Sequence, residues 1–328
     1  MLVTGGAGFI GSRLVSRLLA KGQECLILDN LSHTTPTPRA HPQLRFVKSD
    51  ICDRASVVAS LQEFRPDVVV HLAAVHHIPT CERDPAAALN TNVVGFQTIL
   101  DAAALIGRPK LILASSGAVY SWQSSALVED RTPTKAADIY SLSKLTNEGQ
   151  IELWAKKTNA TGVIARIFNT IGENDPNGHL IPDVLRQLES RAATVKIKLG
   201  NLHTRRDYIY VQDTAACLSA MVDGEASPGI ECFNIGTGVE YSVRELVELM
   251  AETVGRAIDI HVDPQRIRQV DRPSQLAEMT KTRARFGWKP TYSLQEALTS
   301  IISDRDRARD TDVRDPLVAS TVSANYSG

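Results

Sequence analysis

One turn constrains this chain more than any other feature: Gly5-Gly6-Ala7-Gly8-Phe9-Ile10-Gly11. It follows an apolar strand stub, Leu2-Val3, and opens a helical stretch over residues 9–21. Glycines at this spacing allow a tight turn, close approach of a pyrophosphate and close packing of helix on strand. Strand signals recur at 24–28, 44–47, 67–72, 110–114 and 163–167, with helical stretches at 53–64, 84–106 and 137–158 between them. The run Val68-Val69-Val70 is the unbroken apolar stretch that a strand covered on both faces needs. Alternation of this kind predicts the α/β class, with a doubly wound parallel sheet.

After about residue 168 the rhythm breaks into a polar, turn-rich loop at 169–178. Helices are predicted at 180–191, 211–222, 243–254 and 294–302, and short strands at 195–199, 232–235 and 258–262. This divides the chain into a nucleotide-binding domain, 1–168, and a smaller C-terminal α/β substrate domain, mainly 169–303, with parts of about 207–237 woven back into the first. Residues 304–328 turn Asp/Arg-rich and then Ser/Thr/Ala-rich, the composition of a flexible tail.

A formal net charge of -1 provides no basic field for nucleic acid, so anionic ligands must be held by local arginines and helix N-termini. No segment approaches the ~20 apolar residues that span a bilayer, and no basic leader precedes Gly5. A cytoplasmic protein without membrane contact is the expectation. Cys25, Cys52, Cys81, Cys217 and Cys232 are dispersed without a Cys-x-x-Cys pair, which fits a reducing compartment and predicts no metal site.

Asp29 ends the second strand, where a carboxylate accepts both ribose hydroxyls of NAD and repels a 2′-phosphate. No Arg or Lys stands in the following Asn30-Leu31-Ser32-His33, so NAD is favoured over NADP. Asp50-Ile51 follows the third strand and falls near an adenine by the same topology, although Asp50 alone also reads as a helix cap. His71-Leu72-Ala73-Ala74 ends the fourth strand with small residues that let backbone approach a cofactor. Asn92 on the next helix either ties strand ends together or reaches the nicotinamide ribose. Ser115 and Ser116 close the fifth strand, at the carboxyl edge where such sheets bind ligands. There is no Gly-x-Ser-x-Gly elbow, which disfavours a serine hydrolase. Tyr140 and Lys144 share one helix face, and a nearby ammonium is expected to lower the phenol pKa toward the working pH. His76 and His77 follow the fourth strand at the rim of the same region.

The ordered set Gly-x-x-Gly-x-x-Gly, Asp29, His71-Leu72-Ala73-Ala74, Asn92-Val93, Ser115-Ser116, Tyr140-x-x-x-Lys144 and Arg166-Ile167-Phe168-Asn169 resembles the extended short-chain dehydrogenase/reductase family, the NAD-dependent nucleotide-sugar epimerases and dehydratases. The resemblance continues through Arg206-Asp207-Tyr208-Ile209, Asp271-Arg272-Pro273 and Gly287-Trp288-Lys289-Pro290, and so covers roughly 1–303. It implies a Rossmann-type sheet, with NAD held by Gly5, Gly8, Phe9, Ile10, Gly11, Asp29, Asn30, Ser32, Asp50, Ile51, Leu72, Ala73, Ala74, Asn92, Ser115, Tyr140 and Lys144. It further implies Tyr140 as acid/base, Lys144 as ribose contact and Ser116 as binder of the reacting oxygen. Asn169, Arg206 and Arg272 would hold a nucleotide diphosphate, with His76 lining the sugar site. An ion pair with Asp207 is the alternative for Arg206.

The implied reaction is 4-epimerisation of a nucleotide sugar, a UDP-sugar being preferred, by a homodimer. A one-way 4-ketoreductase is the alternative, because Asp263-Pro264-Gln265-Arg266-Ile267-Arg268 is similar to a segment of deoxyhexulose reductases. A dehydratase or decarboxylase is a third reading, weakened because Gly117-Ala118 stand where 4,6-dehydratases carry Asp-Glu. Tyr120 is followed by Ser121-Trp122 where relatives have Gly, which predicts a reshaped sugar pocket.

Overall fold

The computed structural model describes residues 1–32, 38–175, 180–225, 227–267 and 272–314, with side chains to 307. The chain starts with β1 (Leu2–Thr4), α1 (Phe9–Ala20), β2 (Cys25–Asp29), β3 (Leu44–Lys48), α2 (Arg54–Phe64), β4 (Val68–His71), α3 (Ile78–Arg83), α4 (Pro85–Leu89) and α5 (Phe96–Leu105). It continues through β5 (Lys110–Ser116), α6 (Ile139–Thr158), β6 (Thr161–Ile167), β7 (Asn169–Ile171), α7 (Leu180–Gln187), β8 (Thr194–Leu199), β9 (Arg205–Tyr210), α8 (Val211–Asp223) and β10 (Gly229–Ile235). Last come β11 (Glu240–Ser242), α9 (Val243–Val254), β12 (Ala257–Val262), α10 (Thr280–Phe286) and α11 (Leu294–Arg314).

Seven strands form one sheet in the order β10-β6-β5-β4-β1-β2-β3. Every pairing in it is parallel, including β1 with both β2 and β4. The strand order reverses at β1, and the crevice beyond its carboxyl end is where this topology binds ligands. Side chains alternate between the two faces, as strand geometry requires. Val3, Ile27, Ile112 and Ala114 face the core shared with α1 and α8, whereas Leu2, Leu26, Leu28, Leu111 and Leu113 face α2, α5 and α6. The unbroken apolar strands in the sequence are therefore strands buried on both sides.

Beyond β6 the chain builds two small sheets, β11-β9-β7 and β12-β8, around a second core that includes Ile197, Leu246, Met250 and Leu298. Strand β10 returns to the edge of the large sheet beside β6.

Four details differ from expectation. The helix predicted at 84–106 is α4 and α5 joined by a π-helical turn, Asn90–Gly95. There Asn92 bonds both backbone groups of Val75, and a Cβ on Gly95 would meet Ile51 Cδ1 at 2.6 Å. The helix predicted from 137 starts at Ile139, because Asp138 caps it by accepting from Ser141 N in a reciprocal capping box. Strands β7, β9 and β11 and the short helices α3 and α10 have no counterpart among the expected elements. The last helix runs on to Arg314, into the stretch expected to fray, while the rest of that tail, 315–328, lies outside the described residues, as do His33, Arg268 and Asp271. Among the described residues no helix is long and apolar enough to cross a membrane.

Candidate active site

A cleft of roughly 1690 Å³ runs along the carboxyl edge of the large sheet, from the glycine turn to α7. At its floor Gly5 adopts φ +67°, and a Cβ there would meet Ala73 N at 2.8 Å. A Cβ on Gly11 would press on Gly6 Cα at 2.7 Å. The turn is thus a cradle that side chains would fill, and it lies against the end of β4. Helix α1 opens from Gly8 with no side-chain cap and no acidic residue in its first turn, so its amide donors remain for an anion. Asp29 is buried at the cleft wall; its Oδ2 accepts from Ala7 N (3.0 Å) and its Oδ1 from Leu31 N (2.8 Å), which fixes the carboxylate beside the turn. Both oxygens keep a lone pair for a ligand hydroxyl. These residues fit a dinucleotide.

Toward the other end, Ser116 ends β5 and Tyr140 stands in the first turn of α6. The Ser116 Oγ accepts from Ala118 N at 3.1 Å, and its hydroxyl favours the ionised form of the Tyr140 phenol. Lys144 is buried and donates to Ala114 O at 2.8 Å, its Nζ lying 5.8 Å from the centre of the Tyr140 ring. Burial lowers the Lys144 pKa to about 8, with Cys81 and Glu148 opposing. Burial also pushes Tyr140 up to about 12, against the Ser116 hydrogen bond. The expected acidification of the phenol is therefore overturned: loss of hydration, with Cys81 and Asp138 adding to it, outweighs the one favourable neighbour, Ser116.

Beneath the site, Ser115 Oγ donates to Glu148 Oε1 at 2.5 Å. Glu148 also receives Arg166 Nε (3.0 Å) and Nη2 (2.7 Å) in a bidentate pair buried from solvent. Burial alone would lower the Arg166 pKa; the Glu148 carboxylate reverses this and holds it above its ordinary value. His71, one residue before Leu72, shares a hydrogen bond with Thr4 Oγ1 at 2.8 Å, and burial and then Lys144 lower its pKa to about 3. It is a neutral member of the core.

The cleft brings together Gly5, Gly8, Phe9, Ile10, Gly11, Asp29, Asn30, Ser32, Ile51, Leu72, Ala73 and Ala74 with Ser115, Ser116, Tyr140 and Lys144, and also His76, Asn169, Arg206 and Arg272. Two expected residues do not line it. Asn92 is buried, holding Val75 and accepting no exposure to the cleft, and its amide also donates to Ser143 Oγ at 2.9 Å. Asp50 instead accepts from Asn30 Nδ2 (2.9 Å) and Cys52 N (2.8 Å); Asp53, not Asp50, caps α2. Arg206 does not pair with Asp207: it donates to the carbonyls of Arg205 and Arg272, while buried Asp207 accepts from Thr237, Gly238 and Ala277. Arg272 donates to Gly117 O (3.4 Å) and Ala118 O (2.5 Å), close behind Ser116.

Sequence reasoning missed Gln275, whose Oε1 accepts from Asn169 Nδ2 at 3.4 Å, and the group Asp183, Arg186 and Arg266 at the far end. Arg266 lies in the segment already noted for its reductase similarity; nothing in the pattern around Asp183 or Gln275 marks them.

Comparison with known proteins agrees with this geometry. The family described as GDP-mannose 4,6 dehydratase matches residues 2–301. The UDP-glucose 4-epimerase of Mycolicibacterium smegmatis is 33% identical over 92% of this chain and 96% of its own length. The GDP-6-deoxy-D-mannose reductase of Pseudomonas aeruginosa is 28% identical over 93% of this chain and 96% of its own. Among solved structures, the UDP-glucose 4-epimerase of Thermotoga maritima with UDP-glucose superimposes with a TM-score of 0.85 at 28% identity, covering 94% of this chain and 99% of that one. The Thermus thermophilus UDP-glucose 4-epimerase in complex with NAD gives 0.81 at 29% identity, covering 92% and 97%. With the glycine cradle and the serine–tyrosine–lysine cluster on one sheet edge, these matches identify the chain as a member of the extended short-chain dehydrogenase/reductase family of nucleotide-sugar epimerases and dehydratases.

Proposed function

We propose that this chain is an NAD-dependent nucleotide-sugar 4-epimerase. The observation that carries the reading is the convergence of Ser116, Tyr140 and Lys144 with the glycine cradle and Asp29 in one cleft. The cofactor is NAD, held by the amides at the start of α1, by Asp29 and by Lys144. When bound, it supplies the acceptor for hydride from the sugar C4 and the donor for its return. Tyr140 takes the proton from the C4 hydroxyl and gives it back after the 4-keto sugar has presented its opposite face. Ser116 holds the reacting oxygen and steadies charge on the phenol oxygen. Lys144 keeps the Tyr140 end of α6 registered against β5 through Ala114 O.

The 4-ketoreductase reading is favoured by the similarity to the Pseudomonas aeruginosa reductase. It requires a dinucleotide that exchanges in each turnover. Elimination of water lacks an acid and a base at 117 and 118, and a Cβ on Gly117 would already press on Phe168 and Gln275 Nε2 at 3.2 Å.

Incubation with UDP-, GDP-, CDP- and dTDP-sugars without added cofactor, followed by chromatography, tests the reading. Interconversion of two sugar nucleotides with no net NADH supports it, and stoichiometric consumption of NADH or NADPH supports the reductase instead. We further infer a homodimer, because α5 and α6 present Leu105 and Leu153 at 59% and 70% exposure on adjoining helices.

A further inference from the structure

We propose that Arg13 and Glu173 fasten residues 170–175 across the first turn of α1 and so slow release of the dinucleotide from the cleft. The inference rests on the reading that the amides at the start of α1 take the cofactor's pyrophosphate. Two stretches of chain meet at that point. Gly8, Phe9 and Ile10 line the cleft on one side, and Thr170, Ile171 and Asp175 line it on the other. Between them the backbone closes tightly: a Cβ on Gly172 would meet Phe9 Cε2 at 3.1 Å and would press on Val211. The segment therefore lies against the first residue of α1. It is entered from β7, where Ile171 stands opposite Tyr210 of β9.

Glu173 ties this segment to three other elements. Its carbonyl accepts from Arg13 Nη2 of α1 at 2.8 Å. Its Oε1 accepts from the Tyr210 hydroxyl at 2.6 Å, and that hydroxyl lies 3.1 Å from Ser300 Oγ on α11. Arg13 is held to its own helix: Nη1 donates to Phe9 O (3.2 Å) and Ser12 Oγ (3.2 Å), and its central carbon lies 5.5 Å from the centre of the Phe9 ring. The two side chains are 18% and 11% exposed, so water competes weakly for these bonds. Burial would raise the Glu173 pKa; the Ser300 and Tyr210 hydroxyls and then Arg13 reverse this and hold it below its ordinary value. The carboxylate lies 3.9 Å from Arg13 Nη2, which offsets its charge near a site for an anion. Neither Arg13 nor Glu173 lines the cleft, so both act through the segment they fasten. A ligand lodged between the glycine turn and this segment leaves when the segment lifts, and lifting breaks the bonds that Arg13 and Tyr210 make to Glu173.

The test follows NAD release from the loaded protein, read by the absorbance of NADH as excess alcohol dehydrogenase and ethanol reduce the freed cofactor. The wild type is compared with Arg13→Ala, Arg13→Lys, Glu173→Ala and Glu173→Gln. Lys21→Ala is the control, because it removes a tie between the far end of α1 and Asp223 of α8 (2.5 Å). Arg13→Ala and Glu173→Ala should release NAD about 10- to 100-fold faster, the range of one charge-assisted hydrogen-bonded contact. Arg13→Lys and Glu173→Gln, which each keep one bond, should fall between, and Lys21→Ala should match the wild type. Unchanged release in both alanine variants overturns the proposal and leaves the epimerase reading intact. Equal acceleration in Lys21→Ala also overturns it, since that marks a general loosening of α1. Should an alanine variant fail to fold, Arg13→Lys and Glu173→Gln decide: faster release supports the proposal and an unchanged rate overturns it. Wild-type release within one turnover, faster still in the variants, supports the fastening and defeats the epimerase reading in favour of the reductase.

Discussion

Replacing Glu148 by Gln leaves its shape but removes the charge that compensates Arg166. The two are joined at 3.0 and 2.7 Å with side-chain exposures of 9% and 7%, so solvent cannot take over the role of the missing carboxylate. Breaking a buried pair from one side costs about 3–5 kcal/mol. For a chain of 328 residues the entropy of unfolding scales to roughly 0.7 kcal/mol per degree, so the apparent Tm should fall by about 4–7 °C. Removing both partners, as Glu148→Met with Arg166→Met, should restore most of that stability, because no charge is left unpaired. Activity should behave differently. Strand β5 is tied to α6 at two successive points, Ala114 O to Lys144 and Ser115 Oγ to Glu148, directly before Ser116. The double variant loses the second tie outright, whereas the amide oxygen in Glu148→Gln can still accept from Ser115 Oγ, so in the double variant kcat should fall about 10- to 100-fold with little change in KM, the signature of misplaced catalytic groups. Scanning calorimetry and steady-state kinetics on the two variants decide the matter. A Tm shift below about 1 °C in Glu148→Gln, or full kcat in the stable double variant, would refute the reasoning.

Three further outcomes are expected. In the cofactor-free protein, phenolate absorbance of the wild type minus Tyr140→Phe should show no ionisation of Tyr140 below a pH of about 10, since burial holds it near 12. His71 titrates near 3 in the fold against an ordinary 6.5, so between those values the unfolded chain binds a proton that the native state refuses. Stability from denaturant titration should then fall as pH falls, by about 1.4 kcal/mol per unit, with no such term above 6.5 and none in His71→Asn. Light scattering should give a dimer that Leu105→Glu with Leu153→Glu converts to monomer, without loss of bound NAD.

The large sheet was legible because its signal is redundant. Val68-Val69-Val70 and Leu111-Ile112-Leu113 are buried on both faces, and the glycine turn fixes where the first strand meets the first helix. The second core was read less well because its strands are short and polar. In β9, Arg205-Arg206-Asp207-Tyr208 shows no apolar alternation, although Asp207 is buried. That carboxylate is inside because four backbone and hydroxyl donors from distant segments converge on it, a condition no local pattern reveals. Asn92 shows the same limit: its sequence position suggests a cofactor contact, and its partners at Val75 and Ser143 make it a brace between β4 and α6.

The electrostatics of the site show most clearly what spacing alone cannot supply. A spacing of four from Tyr140 to Lys144 guarantees a shared helix face, and the ammonium does lie 5.8 Å from the centre of the ring. Whether that proximity acidifies a phenol depends on two quantities the sequence does not carry: how much water each group loses, and where the ammonium spends its hydrogen bonds. Lys144 loses enough water to fall to about 8 and directs a donor at Ala114 O, while Tyr140 rises to about 12. At neutral pH the pair is then an ammonium beside a neutral phenol, the form needed to return a proton to the sugar oxygen. The opposite step, removal of that proton, requires a phenol pKa nearer neutrality. Removal and return of the proton thus place opposite demands on one phenol.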